Sequence, residues 1–123
     1  MEAGIILLAA GSSTRMGRSK QLIELGEETL IARAARIAGA TGMKTVAVLG
    51  ADHEKHEKAI RKMEIDTVFN PDWQSGMASS IKAGLRHFSG NKSTHAVIVM
   101  VCDQPLLSSA HMTNLRDQWI STK

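Results

Sequence analysis

Arg15, Arg18 and Lys20 stand close together near the start of the chain, among Ser12, Ser13, Thr14 and Ser19, and no acid lies between Gly11 and Lys20. Glycines allow a ligand to approach the backbone closely. Backbone N–H groups with converging cations suit a polyanion, phosphate above all. Two known phosphate loops nearly fit. The P-loop needs four residues between its glycines, followed by Lys and Ser or Thr. Here Ser12 to Met16 separate Gly11 from Gly17, and Arg18-Ser19 follows. The dinucleotide pattern G-x-G-x-x-G fails because Ser13 stands where the middle glycine should be. A plain glycine turn with solvated basic residues accounts for the same composition.

Two further groups could take part. Asp103 follows the apolar run Ala96–Val101 and Cys102. A lone carboxylate there can pair with a basic loop, cap a turn, or, with a triphosphate present, hold Mg²⁺, which favours one or two carboxylates plus phosphate oxygens. The segment from Asn70 to Leu85 contains Gly76 at the predicted start of a helix, with Ser79 and Ser80 in its first turns. Helix N-termini offer N–H groups and a positive dipole end, and ordinary turn and cap chemistry uses the same residues.

Positioning these groups falls to alternating strands and helices. The run Ile5–Ala10 reads as a strand buried on both faces. Thr29 is placed to cap a helix reaching about Thr41, with Leu30, Ala34, Ile37 and Ala38 on one face and Gly42 ending it. Thr45–Leu49 reads as a second strand. From Asp52 to Met63 the pattern predicts an exposed, charged helix with a thin stripe of Ala59, Ile60 and Met63. Thr67–Phe69 is a short third strand stopped by Asn70-Pro71-Asp72. A helix over 76–88 is expected to share Met77, Ile81, Gly84, Leu85 and Phe88 on its inner face. Ala96–Val101 is the fourth strand, and Ser108 is placed to cap a last helix with Met112, Leu115 and Trp119 toward the sheet. Such alternation implies βαβ units, an α/β class and a mainly parallel, doubly wound, Rossmann-like sheet. Strand order 3-2-1-4 sets the fourth strand beside the first, bringing the Cys102-Asp103-Gln104-Pro105 end toward the Gly11–Lys20 loop, because ligands collect beyond the carboxyl ends of such strands.

A length of 123 residues is one domain at most. The net charge of +3 and pI near 9.3 admit a nucleic-acid partner. Phe69, Phe88, Trp73 and Trp119 are the only aromatics, too few for base stacking along a strand. A small phosphorylated ligand explains the charge more economically. Cys102 is the single cysteine, which excludes an internal disulfide. No stretch has the length of a membrane span, and a cytoplasmic location is expected. The segment His53-Glu54-Lys55-His56-Glu57 is one residue short of the zinc motif H-E-x-x-H. It reads as solvated helix surface.

The pattern Leu8-Ala9-Ala10-Gly11-x-Ser13-x-Arg15-Met16-Gly17-x-x-Lys20 resembles the signature loop of the MobA-like nucleotidyltransferases, and within them the molybdenum cofactor cytidylyltransferases. Cys102-Asp103-Gln104-Pro105 is similar to the family's strand-end motif, and Asn70-Pro71-Asp72-Trp73 with Gly76-Met77 and Ser80 to the cytidylyltransferase branch's own motif. The resemblance implies transfer of a nucleoside monophosphate from an NTP, CTP or GTP, to the phosphate of a molybdopterin-type acceptor, with release of pyrophosphate. It implies Mg²⁺ on Asp103, pyrophosphate stabilisation by Arg15, and contacts of Lys20 near the α-phosphate and acceptor. Leu8, Ala9, Ala10, Gly11, Ser12, Ser13 and Thr14 would surround the nucleotide, with Asn70, Gly76 and Ser80 completing its pocket.

Domains of this family are longer, so residues 1–123 are expected to be a single nucleotide-binding domain incomplete at its C-terminal side. An unpaired fourth-strand edge is a candidate for homodimer formation. Two other function classes compete: a non-catalytic nucleotide-binding module, and a nicotinamide-dependent oxidoreductase, for which Asp52 is a loose candidate as the ribose-binding acid.

Overall fold

In a computed structural model, residues 2–10, 14–15, 18–19, 24–25, 28–63, 65–90, 94–102 and 108–121 are described, the short strands between Thr14 and Glu28 by backbone alone. Strand β1 (Glu2–Ala9) is the centre of the sheet. Two small antiparallel hairpins follow: β2 (Thr14–Arg15) with β3 (Arg18–Ser19), and β4 (Glu24–Leu25) with β5 (Glu28–Thr29). The chain continues through α1 (Leu30–Ala40), β6 (Lys44–Leu49), α2 (His53–Ile60), β7 (Asp66–Phe69), a 3₁₀ turn at Trp73–Ser75, α3 (Met77–Ser89), β8 (Thr94–Val101) and α4 (Ser109–Ser121). The four long strands are parallel and run β7-β6-β1-β8 across the sheet. This is the expected order 3-2-1-4.

Why β1 takes the centre is visible in its side chains. Successive residues point to opposite faces, and both faces are covered. Ile5, Leu7 and Ala9 join α1, Ile60 of α2 and Met112 of α4 in one core. Ile6, Leu8 and Ala10 join Val46, Val48 and Phe88 of α3 in the other. Ile5, Ile6 and Leu7 are fully buried, each removing apolar surface worth about 1.5–3 kcal/mol from water.

The helix ends follow local chemistry. Thr29 Oγ1 accepts from the Ala32 N–H at 3.1 Å and opens α1. Gly42, at φ +74°, supplies the left-handed residue beyond the last turn. Ser108 Oγ accepts from the His111 N–H at 3.1 Å to cap α4, and Ser109 Oγ donates to the Ile37 carbonyl at 2.7 Å, tying α4 to α1. His87 Nε2 lies 2.9 Å from Asp66 Oδ2 and links α3 to β7.

Three side-chain expectations need correction. The inner stripe of α3 is Ser80, Gly84 and Phe88, with Ile81 beside it. Met77 and Leu85 are exposed. The helix is seated close to β1, so that Gly84 faces the Ile6 side chain with no room for a Cβ, and with Ser80, Gly84 and Phe88 turned inward Met77 and Leu85 lie outside. On α4, Met112 is buried and Trp119 packs against the core, but Leu115 is exposed. Nor is α2 a wholly solvated helix, because His56 sits beside Ile60 in the interior with no exposed surface.

Candidate functional site

The carboxyl ends of β1 and β8 lie next to each other. Leu8 pairs with Val101, and the Cys102 thiol donates to the Leu8 carbonyl at 3.6 Å. The glycine loop therefore departs from Ala10, and the segment beginning at Asp103 departs from Cys102, at neighbouring points on one rim. Leu8, Ala9 and Ala10 are buried here. They contribute backbone and packing rather than exposed side chains. Thr14 and Arg15 form the first strand of the β2–β3 hairpin, so the loop doubles back on itself. Gly11, Ser12, Ser13, Lys20 and Asp103 lie outside the described residues.

Across the same rim, beyond β7, Asn70 anchors the turn into α3. Its backbone N–H donates to the Leu49 carbonyl at 2.7 Å. Its side-chain Nδ2 donates to Ser79 Oγ at 2.9 Å and Ser80 Oγ at 3.0 Å, while Oδ1 accepts from the Asp72 N–H at 3.0 Å. Ser79 Oγ in turn donates toward the Asp72 and Gly76 carbonyls. Both amide hydrogens of Asn70 are thus engaged inside the protein, and Asn70 and Ser80 are buried. This geometry commits the Asn70 side chain to holding the turn between β7 and α3 together. Gly76, exposed at φ +110°, starts α3 without a side-chain cap. The first-turn N–H groups and the positive dipole end of α3 face the same turn.

Removing the Asn70 amide takes a partner from the buried Ser80 hydroxyl, and also from Ser79 Oγ and the Asp72 N–H, which lie nearer the surface. Asn70→Ala is expected to lower stability by about 1–3 kcal/mol, the cost of leaving one buried polar group unsatisfied. Urea denaturation followed by circular dichroism measures it.

The third side of the rim is the corner between β6 and α2. Gly50 is packed so that a Cβ would fall 2.5 Å from the Ala10 carbonyl oxygen and 2.6 Å from Trp73 Cβ. Ala51 N–H donates to the Ala10 carbonyl at 3.0 Å. Asp52 adopts the left-handed region at φ +54°, and its carbonyl accepts from the N–H groups of Lys55 and His56. The His56 imidazole hydrogen-bonds the backbone of Ala9. Burial holds its pKa below the ordinary 6.5, with His53 and Lys55 adding to the depression and Asp52 and the Ala9 bond opposing it. Sequence reasoning passed over His56 because its neighbours Glu54, Lys55, Glu57 and Lys58 are charged. The available signal was its four-residue spacing from Ile60.

Among the described residues, no three His, Cys, Asp or Glu side chains gather as a metal site. A single carboxylate shared with phosphate oxygens is the arrangement that suits Mg²⁺. Cys102 is buried, with its thiol directed at Leu8. Among the described residues, no helix is long and apolar enough to cross a membrane.

The MobA-like NTP transferase domain matches residues 5–123. The nicotine blue oxidoreductase of Paenarthrobacter nicotinovorans is 36% identical over 84% of this chain and 50% of its own length. The molybdenum cofactor cytidylyltransferase of Escherichia coli is 30% identical over 65% of this chain and 42% of its own. This chain spans about half the length of these relatives. The Rv0371c protein of Mycobacterium tuberculosis superposes with a TM-score of 0.82 at 25% identity, over 94% of this chain and 59% of that one. A structure of the same protein in complex with manganese gives 0.79 at 22% identity, over 95% and 59%.

Proposed function

The chain belongs to the MobA-like NTP transferase family, and from that footing we propose that it carries the nucleotide-binding part of a Mg²⁺-dependent cytidylyltransferase acting on a molybdopterin-type cofactor. The observation that carries this reading is the pairing of Leu8 with Val101. It sets the roots of the glycine loop and of the Asp103 segment side by side on the ligand-binding rim of the sheet.

An oxygen of the acceptor phosphate attacks the α-phosphorus of the NTP. A new P–O bond forms as the bond to the β-phosphate oxygen breaks, and pyrophosphate leaves. No protein nucleophile is needed, and the acceptor is already ionised. Rate enhancement in this chemistry comes from positioning and electrostatics. Loop N–H groups near Ala10–Thr14 hold the phosphates, Arg15 balances charge on the departing pyrophosphate, and Lys20 orients the α-phosphate and acceptor. Asp103 would hold Mg²⁺, which supplies neutralisation of phosphate charge. Ser80 and the Gly76 turn close the nucleoside side. The manganese complex of the mycobacterial relative supports divalent metal use, and the cytidylyltransferase of E. coli supports the cytosine and molybdopterin assignments. The same reading includes a pair of copies joined along the β8 edge, where Val99 is 43% exposed.

A thermal-shift screen of the four NTPs and NADH, with and without Mg²⁺, tests the nucleotide assignment. Mg·CTP at a hundred times its Kd is expected to stabilise the fold by about 2.7 kcal/mol, a rise in Tm on the order of 10 °C. Pyrophosphate release with CTP and molybdopterin tests the reaction. A second reading, a nicotinamide-dependent oxidoreductase, draws on the oxidoreductase relative. A shift with NADH and none with any NTP would overturn the transferase in its favour.

A further inference from the structure

We infer that His56 is a positioning residue for nucleotide binding, fixing the end of β1 from which the glycine loop departs. The inference rests on the nucleotidyltransferase reading and adds to it a residue that none of the motif segments contains.

The argument begins with cost. Placing an imidazole where no water reaches is unfavourable, and a hydrogen bond from one ring nitrogen offsets only part of that cost; α2 has simpler ways to fill the space, as Ile60 one turn later demonstrates. The return is a hydrogen bond to the backbone of Ala9, the last residue of β1. The connection from β6 into α2 grips the adjoining residue as well. Ala51 N–H bonds the Ala10 carbonyl, and Gly50 lets Ala10 and Trp73 close in. Two consecutive peptide units, immediately before Gly11, are therefore held by the Gly50–His56 corner. The entry to α2 is built for this approach, with Asp52 in a left-handed conformation that a non-glycine residue adopts at some cost. Because the loop is to bind phosphate through its backbone N–H groups, the orientation of those groups depends on the peptide planes that precede them. A side chain that fixes Ala9 acts on the ligand without touching it.

The test compares His56→Leu, which removes the donor, with His56→Gln, whose amide can reach the same carbonyl. Titration of Mg·CTP gives Kd, and circular dichroism and urea denaturation confirm that each variant is folded. His56→Leu is expected to weaken Mg·CTP about tenfold, the scale of one net hydrogen bond. His56→Gln is expected to restore affinity to within about threefold of the parent, on the same scale. A purely structural role would lower the denaturation midpoint and leave the Kd of the folded protein unchanged. Equal Kd values for the parent and His56→Leu overturn the inference, as does His56→Gln binding no better than His56→Leu. If neither variant folds, NMR of the imidazole in the parent decides. A slowly exchanging ring N–H signal from His56 that moves on adding Mg·CTP, while that of His87 stays fixed, supports it; an unmoved or absent signal overturns it. A parent that binds no NTP removes the nucleotidyltransferase reading and this inference together, whereas binding that is indifferent to His56 removes this inference alone.

Discussion

Asp103→Asn is expected to weaken Mg²⁺-dependent CTP binding by roughly two orders of magnitude, on the scale seen when the surroundings of a metal site are disturbed. The substitution preserves size and removes one negative charge, so its effect should vanish when Mg²⁺ is omitted. That contrast distinguishes a metal ligand from a carboxylate paired with Arg15, Arg18 or Lys20. Loss of a salt-bridge partner would alter CTP binding with and without the metal. The expectation follows from the position of Asp103 in the chain. It comes directly after Cys102, whose thiol is bonded to the Leu8 carbonyl at the rim, and the glycine loop begins three residues after Leu8. Isothermal titration with and without Mg²⁺ reads both arms. Identical Kd values for the parent and the variant in Mg²⁺ would remove Asp103 from the metal site.

Gly50→Ala is expected to be the most damaging single methyl that can be added near the rim. The new Cβ would lie 2.5 Å from the Ala10 carbonyl oxygen, 2.6 Å from Trp73 Cβ and 2.7 Å from Trp73 Cγ. Two of these atoms belong to backbone or to the stem of a side chain and cannot swing aside. Relief requires that the end of β1 separate from the corner leading to α2, or that the Trp73 turn be displaced. Overpacking of this kind costs roughly 1–3 kcal/mol, occasionally more, and the rigidity of the obstacles argues for the upper part of that range. CTP binding should fall along with stability, because Ala10 precedes the glycine loop and Trp73 precedes Gly76. Chemical denaturation and a CTP titration on the folded fraction measure the two effects. A Gly42→Ala control, where the space is open but φ is +74°, should cost stability through backbone strain and leave CTP affinity unchanged.

The sheet was legible because its strands are apolar without interruption. Ile5–Ala10 and Thr45–Leu49 are buried on both faces, as their apolar runs require, whereas the equally apolar Ala96–Val101 lies at the sheet edge with Met100 buried and Val99 exposed; parallel order 3-2-1-4 follows from alternation with helices. Thr29 and Ser108 were legible as caps because a hydroxyl at a helix start has one dominant use. Side-chain direction was less so. Leu85 and Leu115 fit an apolar stripe, yet α3 seats Gly84 closely on Ile6, a contact between elements that periodicity does not encode. His56 was hidden by the opposite effect, a buried polar residue among charged neighbours. The engagement of Asn70 with Ser79, Ser80 and Asp72 was likewise invisible, since a turn motif does not say whether its amide faces inward or toward a ligand. The loop and acid assignments at Gly11, Ser12, Ser13, Lys20 and Asp103 rest on sequence pattern and on the placement of Ala10 and Cys102.

The most direct test is anomalous diffraction from a crystal of this protein grown with Mn²⁺ and CTP. The account predicts a manganese peak bonded to the Asp103 carboxylate and to the triphosphate, with the phosphates lying over the turn that follows Ala10. A peak at the opposite rim of the sheet, in the pocket lined by Lys44, Arg116 and Asp117, with the triphosphate beside it, would contradict it.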